Sequence, residues 1–210
     1  MADVKIGKIC LGQMQTNCYF VYREGVNEAM VIDPGSSGKH LYEKLTEHGF
    51  SVKRILLTHG HFDHIGGVDE LRSLSGAPVC ALAEEKELLE DPWINVSAQM
   101  KGPLTISCDE FFHDGDEISC GDVSCKVIAT PGHTAGGCCF YFEEAGFLVC
   151  GDTIFAESVG RSDFPTGDEK TLLDSVEKRI FTLPDETKLY PGHGPATSVG
   201  HEKEYNPFFS

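Results

Sequence analysis

The residues best suited to chemistry stand in one short stretch, His-Gly-His-Phe-Asp-His at positions 59–64. This stretch places three imidazoles and a carboxylate within six residues, directly after the apolar run 55–57. Imidazole nitrogen and carboxylate oxygen are ligands of zinc and of other borderline divalent ions, and the spacing lets one tight loop direct several of them to one point. The stretch therefore predicts a metal site in preference to a solvated polar turn.

Further residues of ligand type follow other apolar runs. The runs 127–129, 147–149 and 188–190 each lead into a turn that contains glycine, and these turns carry His133, Asp152 and His193. The predicted metal ligands are thus His59, His61, Asp63, His64, His133, Asp152 and His193. Seven groups exceed the positions of one tetrahedral ion, so we predict two divalent ions bridged by a shared carboxylate. Zinc is the expected metal, with iron and manganese as alternatives. The other four histidines are expected to be surface or hydrogen-bonded residues: His40, His48, His113 and His201.

Such a site has a definite chemistry. A bound metal ion lowers the pKa of water from 15.7 to about 7, which supplies hydroxide at neutral pH without a serine or cysteine nucleophile. The same ions stabilise charge that develops on a carbonyl oxygen. The expected reaction is hydrolysis of an activated carbonyl compound, with Asp63 and Asp152 as the catalytic carboxylates.

The elements around these groups alternate between strands and helices. Short apolar runs bounded by Gly and Pro are typical of buried strands, and segments 5–23, 106–129 and 138–150 are predicted to form successive strands. Three helices are predicted by their apolar spacing. The first begins at Ser36 or Ser37, the second carries Val68, Leu71 and Leu74, and the third begins at Asp168 and carries Leu172, Val176 and Ile180. We expect these apolar residues to be core. The least regular segment, 91–105, is predicted to be a peripheral connection, with a lid carrying Trp93 and Met100 as the alternative.

Composition restricts the class of protein. A chain of 210 residues, 40% hydrophobic and 24% charged, suits one globular domain over residues 1–210. The net charge of −16 disfavours nucleic acid as a partner. There is no apolar stretch of the roughly 20 residues that a membrane helix needs, and the N-terminus has no signal-like pattern. We therefore expect a cytoplasmic protein that acts on a small molecule away from the membrane.

The nine cysteines are an odd number, and several fall within strand-like runs. Buried free thiols are expected in a reducing compartment. Neighbouring Cys138 and Cys139 point to opposite faces of any strand, which argues against both binding one ion. Cys120 and Cys125 have no partner pair elsewhere, so a structural zinc ribbon is disfavoured.

With its His-x-His-x-Asp-His motif at 59–64, the chain resembles the metallo-β-lactamase superfamily. The resemblance extends through Asp33-Pro34-Gly35, Pro131-Gly132-His133-Thr134, Gly151-Asp152 and Pro191-Gly192-His193-Gly194-Pro195. It implies an α/β fold, a single-domain αββα sandwich with the metals at the edge between two sheets. It also implies that His59, His61 and His133 hold one ion, that Asp63, His64 and His193 hold the other, and that Asp152 bridges them.

Within the superfamily, Gly160-Arg161-Ser162-Asp163-Phe164 and the ending around His193 are similar to the small glyoxalase II-like branch. The resemblance implies a thioester hydrolase acting on S-lactoylglutathione or a related acyl-thiol. Only residues 194–210 follow His193, so the helical domain that binds glutathione in full-length glyoxalase II is expected to be absent. Two roles are equally expected for Arg161: it binds a substrate carboxylate, or it fixes the loop through an ion pair with a residue such as Asp163.

Other activities remain as alternatives. The persulfide dioxygenases share the Gly-Arg-x-Asp-Phe segment, and their single iron would correspond to His59, His133 and Asp152, a set suited to oxygen chemistry. Lactone hydrolysis needs the same attack on a carbonyl carbon. β-Lactam hydrolysis and a purely structural role of the metals rank lower, as does the oxygen-reducing diiron branch, which usually has glutamate where His61 stands.

Overall fold

The computed structural model describes residues 2–100 and 102–209 and contains two six-stranded sheets. The first sheet follows chain order: β1 (Val4–Leu11), β2 (Thr16–Arg23), β3 (Glu28–Ile32), β4 (Ser51–Leu56), β5 (Val79–Leu82) and β6 (Glu110–Phe112). Strands β3 to β6 are parallel to one another. The turns after β3 and β4 therefore meet at one edge, which places Asp33 beside Thr58 and His59.

The next eight strands are β7 (Glu117–Cys120), β8 (Val123–Ala129), β9 (Cys138–Phe142), β10 (Phe147–Gly151), β11 (Ile154–Phe155), β12 (Ser158–Val159), β13 (Lys188–Pro191) and β14 (Thr197–Ser198). The second sheet has the order β14-β13-β10-β9-β8-β7, while β11 and β12 form a separate hairpin. Strand β9 is antiparallel to both β8 and β10, and β10 is parallel to β13. Strands β8, β10 and β13 therefore run in one direction, and the turns that follow them carry His133, Asp152 and His193 to the same edge.

Helices cover the outer faces of the two sheets. The helices are α1 (Gly38–Glu47), α2 (Phe62–Ile65), α3 (Val68–Ser75), α4 (Lys86–Glu90), α5 (Ser97–Met100), α6 (Glu169–Ser175) and α7 (Val199–Tyr205). Three apolar clusters define the layers. One lies between the sheets and includes Met30 and Phe140, and the second joins the first sheet to α1 and α3. The third packs the second sheet against Val176, Ile180 and Val199. The predicted αββα sandwich is confirmed.

The helices confirm one predicted cap and differ from the predictions in three details. Ser37 occupies the position before α1, but its backbone is left-handed (φ 53°) and its side chain makes no capping hydrogen bond. Leu74, predicted to be core, is 44% exposed and lies in the last turn of α3. Asp168 caps α6 as predicted, by accepting a hydrogen bond from the Thr171 amide. The expected third helix continues as a π-helical turn over Val176–Ile180.

Segment 91–105 contacts the 59–64 motif, and its role as a peripheral connection or a lid stays a prediction. The Asn95 carbonyl accepts a hydrogen bond from the Phe62 amide, which ties the segment to the first turn of α2, within the 59–64 motif. Trp93 and Met100 are 66% and 57% exposed. Lys101 lies outside the described residues, as do Met1 and Ser210 at the ends of the predicted 1–210 domain, whose bounds stay a prediction.

The nine cysteines are free thiols. Cys138 lies in the cluster between the sheets and Cys139 in the outer cluster, as strand alternation requires. Within residues 2–100 and 102–209, no helix combines the length and apolar character needed to cross a bilayer.

Candidate metal centre

The structure brings all seven predicted ligands together at one edge of the two sheets. The loop after β4 supplies His59 and His61, helix α2 supplies Asp63 and His64, and the turns after β8, β10 and β13 supply the other three. Six of the seven are buried or nearly so, and His193 has the most exposed side chain, at 28%. Their role as ligands stays a prediction, but their convergence is a property of the fold.

Three of these residues form an imidazole trio: His59, His61 and His133. The Nδ1 atom of His61 lies 2.9 Å from Nε2 of His133, which lies 3.2 Å from Nε2 of His59. The outer nitrogen of His133, Nδ1, donates a hydrogen bond to the Arg161 carbonyl at 2.6 Å. A ring with its proton on Nδ1 presents a bare lone pair at Nε2.

The proton on His59 is fixed in the same way. The Thr58 hydroxyl donates to Asp33 Oδ2 at 2.6 Å, so its oxygen accepts a hydrogen bond from His59 Nδ1 at 3.1 Å. His59 Nε2 and His133 Nε2 therefore both direct lone pairs into the trio. Lone pairs that converge at this distance are well placed to bind a cation, so the donor set fits a divalent metal ion.

The remaining residues form a mixed trio: Asp63, His64 and His193. His193 Nε2 lies 3.2 Å from Asp63 Oδ2, which also accepts a hydrogen bond from the Thr16 hydroxyl at 3.0 Å. His64 is fully buried, and its Nδ1 donates to Asp33 Oδ2 at 2.9 Å. Its Nε2 is buried and has no hydrogen-bond partner among the described residues. A metal ion bound at this nitrogen would satisfy it.

Asp152 stands between the two trios. Its Oδ1 lies 3.4 Å from His64 Nε2, and its Oδ2 lies 3.5 Å from His193 Nε2 and 3.7 Å from His133 Nε2. Oδ1 is buried without a hydrogen bond among the described residues. Gly192 has no room for a side chain, because a Cβ there would overlap Asp152 Oδ1. The carboxylate therefore faces both candidate metal positions.

Asp33, His59 and His64 also approach one another closely enough to suggest a third metal position. The oxygens of Asp33 already accept hydrogen bonds from the Thr58 amide, the Thr58 hydroxyl and His64 Nδ1. A carboxylate engaged in this way orients the histidines and is not a free ligand.

The protein environment shifts the pKa values of the two trios in opposite directions. Burial, followed by the nearby His133, lowers the pKa of His61 to about 3, and burial likewise lowers the pKa of His59. Burial also opposes the charged form of His193, but its hydrogen bond with Asp63 and the charge of Asp152 outweigh burial and raise its pKa. The imidazole trio is therefore a neutral donor set, whereas the mixed trio carries charge.

A cleft of about 280 Å³ opens onto the site. Its polar floor includes His61, Asp63, His133, Asp152 and His193. Its walls are largely apolar: Met14, Phe62, Val96, Phe155 and Phe164. A larger depression of about 550 Å³ over β7, β8 and β9 is lined by none of the seven groups. Apolar walls around a few convergent polar groups are typical of small-molecule sites.

Arg161 lies at the rim of this cleft. Its guanidinium binds Asp163 through two hydrogen bonds of 2.8 and 2.7 Å and lies 4.2 Å from the centre of the Phe164 ring. The structure thus shows the ion pair of the second interpretation, and a contact with substrate stays a prediction. The contribution of Arg161 to the metal centre is its backbone carbonyl.

Sequence reasoning missed several residues that hold the ligands in place. Asp33 and Thr58 orient His64 and His59, and Thr16 holds Asp63. The Asn17 side chain donates to the Pro191 and Gly194 carbonyls on either side of His193. The turn Asp33-Pro34-Gly35 gave a signal for the first of these. Thr16 and Asn17 lie in an ordinary strand and gave none.

Comparison with known proteins agrees with this geometry. A family model described as the metallo-beta-lactamase superfamily matches residues 11–193. The chain belongs to this superfamily. Its relatives include a probable metallo-hydrolase, YqgX, of Bacillus subtilis, 34% identical over 99% of this chain and 98% of the relative. They also include the hydroxyacylglutathione hydrolase GloC of Haemophilus influenzae, 32% identical over 93% of both chains. Membership in the superfamily and the likeness to a glyoxalase II-type relative confirm the predicted family.

Several solved structures are also similar to this chain. BLEG-1, a B3 metallo-beta-lactamase, has a TM-score of 0.93 and 37% identity, covering 98% of this chain and 100% of its own. TTHA1623, solved in a di-iron-bound form, has a TM-score of 0.85 and 34% identity over 96% of this chain and 99% of its own. ETHE1 from Myxococcus xanthus has a TM-score of 0.78 and 27% identity over 97% of this chain and 83% of its own. The superfamily membership supports an enzyme with a metal site of the hydrolase type.

Proposed function

We propose that the protein is a hydrolase of thioesters that uses two divalent metal ions. The observation that carries this proposal is the pair of trios joined by Asp152 on the floor of a cleft with apolar walls. When bound, the ions supply hydroxide at neutral pH and polarise the carbonyl oxygen of the substrate. Zinc is the proposed metal, and iron and manganese are alternatives because imidazole and carboxylate ligands suit all three.

The protein's own residues have three tasks in this reaction. The imidazole trio and the mixed trio would each hold one ion, and Asp152 would be the ligand that faces both positions. Hydrogen bonds donated by the outer nitrogens of His59, His64 and His133 fix the ring orientations before substrate arrives. Asp63 and Asp152 line the cleft, so a carboxylate oxygen of either is placed to accept a proton from the attacking water.

The ionisable groups around the cleft favour a thiol as the leaving group. Among the described residues that line it, Arg161 is the one ionisable side chain outside the proposed ligand set. The cleft thus offers no uncommitted acid to protonate an amine or alkoxide as it departs. A thiolate needs no such acid, because an ordinary thiol has a pKa of about 8.5. This favours thioesters over lactones and β-lactams.

We further propose an acyl-thiol substrate and a cytoplasmic location. The likeness to GloC supports S-lactoylglutathione or a related acyl-thiol, and the apolar walls suit the carbon chain of the acyl or thiol part. The net charge of −16 supports a small molecule over nucleic acid. The nine free thiols support a reducing compartment, the cytoplasm.

The direct test measures metal content together with thiol release. We expect two ions per chain and release of free thiol from S-lactoylglutathione or another member of a panel of acyl-thiols. Asp63→Asn should lower kcat/KM by about 100-fold or more, an effect typical of losing a ligand or a charge at the reacting atoms.

Asp69→Asn is the matched control, because Asp69 pairs with Arg72 on the exposed face of α3 and should leave activity unchanged. A protein that holds two ions and releases thiol from no member of the panel contradicts the proposal.

A second candidate is a mononuclear iron dioxygenase acting on a persulfide. It is favoured by one observation, the approach of His133 Nε2 to both His59 Nε2 (3.2 Å) and Asp152 Oδ2 (3.7 Å). Two histidines and one carboxylate form a set used by iron in oxygen chemistry. Oxygen uptake with glutathione persulfide, at one iron per chain, would support it. Two zinc ions and no oxygen uptake exclude it.

A further inference from the structure

Glu85 is a buried acid outside the proposed ligand set. It lies in the 3₁₀ turn that follows β5, is 1% exposed, and has no basic side chain as a hydrogen-bond partner among the described residues. Burying a carboxylate costs several kcal/mol unless hydrogen bonds compensate for the lost water. Such a residue requires a structural explanation.

The hydrogen bonds of Glu85 connect the two loops that build the imidazole trio. Its Oε1 accepts from the Gly60 amide at 2.9 Å, and Gly60 lies between His59 and His61. Its Oε2 accepts from the Gly136 amide at 2.8 Å and from the Thr134 hydroxyl at 3.1 Å, directly after His133. One carboxylate thus joins the loop after β4 in the first sheet to the loop after β8 in the second.

Both loops pack against the segment that carries Glu85, which leaves no room for side chains at the two glycines. A Cβ on Gly136 would overlap the Glu85 backbone, and a Cβ on Gly60 would meet the Leu88 and Leu89 side chains. The carboxylate is therefore held between the two backbones at a fixed separation. That separation sets the distance between His133 and the other two imidazoles.

The mixed trio has different supports. Asp63 is held by Thr16, His64 by Asp33, and the turn around His193 by Asn17. Glu85 makes no hydrogen bond to any of these residues. Its influence should therefore fall on one metal position and not on the other.

We propose that Glu85 is a positioning residue that sets the metal affinity of the imidazole trio independently of the mixed trio. This inference rests on the proposed metal-dependent function. Gln in place of Glu85 keeps the shape and one carbonyl oxygen, but it presents an NH₂ group to at least one of the amides that now donate. The two loops must then separate or lose a hydrogen bond.

Glu202 provides a matched control elsewhere in the fold. It is fully buried and accepts hydrogen bonds from the Glu157 amide, the Thr197 hydroxyl and the Asn206 amide group. These contacts join α7 to the β11–β12 hairpin and touch neither trio. Glu202→Gln removes the same kind of buried acid without moving the two loops.

The test measures Zn²⁺ dissociation constants by chelator competition in two backgrounds. In the His193→Ala background the mixed trio is incomplete and only the imidazole trio is intact. There Glu85→Gln should raise the dissociation constant of the remaining ion roughly 10-fold. His61→Ala leaves the mixed trio, and there Glu85→Gln should not change the dissociation constant. Glu202→Gln should change neither, even where it lowers Tm.

Equal weakening in both backgrounds, or in neither, overturns the inference. If Glu85→Gln does not fold, Thr134→Val removes one of the three donors and keeps the carboxylate. Thr134→Val should raise the Zn²⁺ dissociation constant in the His193→Ala background alone. An unchanged dissociation constant in that background overturns the inference as well. A wild-type protein that binds no second ion contradicts the proposed function itself, which separates the two failures.

Discussion

The imidazole trio and the mixed trio lie side by side but differ in charge and in access to water. His59, His61 and His133 are each at most 4% exposed, and burial lowers the pKa of each. In the mixed trio, Asp63 carries a negative charge, and His193 is partly open to solvent. The imidazole trio is thus a buried, neutral donor set, whereas the mixed trio is charged and more exposed to solvent.

This difference has a consequence for metal binding. Neutral ligands leave the charge of a divalent ion intact, whereas a carboxylate offsets part of it. Burial also limits the access of competing water and chelators to the imidazole trio. Because release requires water or a chelator to reach the ion, we expect the buried imidazole trio to release its ion more slowly than the mixed trio, even though the carboxylate of the mixed trio attracts an ion more strongly.

The largest effect is expected for the residue that the two trios share. Asp152→Asn removes the charge that faces both positions, so both ions should bind more weakly and kcat/KM for thioester hydrolysis should fall about 100-fold or more. Metal content and thiol release measure the two effects. Retention of both ions with wild-type dissociation constants would show that Asp152 does not join the trios.

The next effect separates the trios from each other. An ion present at 100 times its dissociation constant adds about 2.7 kcal/mol to stability, which corresponds to roughly 5–10 °C in Tm for a chain of this size. His61→Ala should show a loss of this order, and His193→Ala a smaller one, because His193 is the more exposed ligand. Thermal unfolding of the zinc-loaded variants tests the ranking, and equal losses would remove the distinction.

A smaller effect is expected in the metal-free protein as the pH changes. The folded-state pKa of His61, about 3, lies below its ordinary value of about 6.5, so its contribution to stability is lost as the pH falls below 6.5. The pKa of His193 is raised, so its contribution is present below 6.5 and is lost as the pH rises through its folded value.

Nitrogen NMR of the imidazoles measures both titrations directly. We expect His193 to remain protonated at a pH where His61 is neutral. The reverse order of titration would contradict the electrostatic contrast between the trios.

The smallest effect is expected at the rim of the cleft. Arg161 and Asp163 have side chains that are 64% and 68% exposed, and such ion pairs contribute about 0–1 kcal/mol. Arg161→Met keeps the carbonyl that accepts from His133, so metal content should not change and kcat/KM should fall less than about 5-fold. A greater fall in kcat/KM that comes from a higher KM, with metal content unchanged, would instead show that the guanidinium binds the substrate.

Much of this architecture could be predicted from local sequence patterns. Residue type and spacing identified the seven groups at strand ends, and apolar runs bounded by Gly and Pro indicated an α/β fold. Both predictions were possible because each pattern lies within a few neighbouring residues. Local patterns failed where packing decides. Leu74 has helical spacing but faces solvent, and segment 91–105 lacks a pattern yet supplies Val96 to the cleft.

The sequence by itself determined which side chains are available to bind metal and that they follow strands. Only the tertiary structure divided them into a neutral and a charged trio and supplied their supports. Thr16 is 47 residues from Asp63, and Glu85 is 51 residues from Gly136. Contacts over such separations depend on how two sheets pack, and no local spacing in the chain specifies them. For that reason Glu85, in an ordinary charged stretch, gave no signal of its place between the loops.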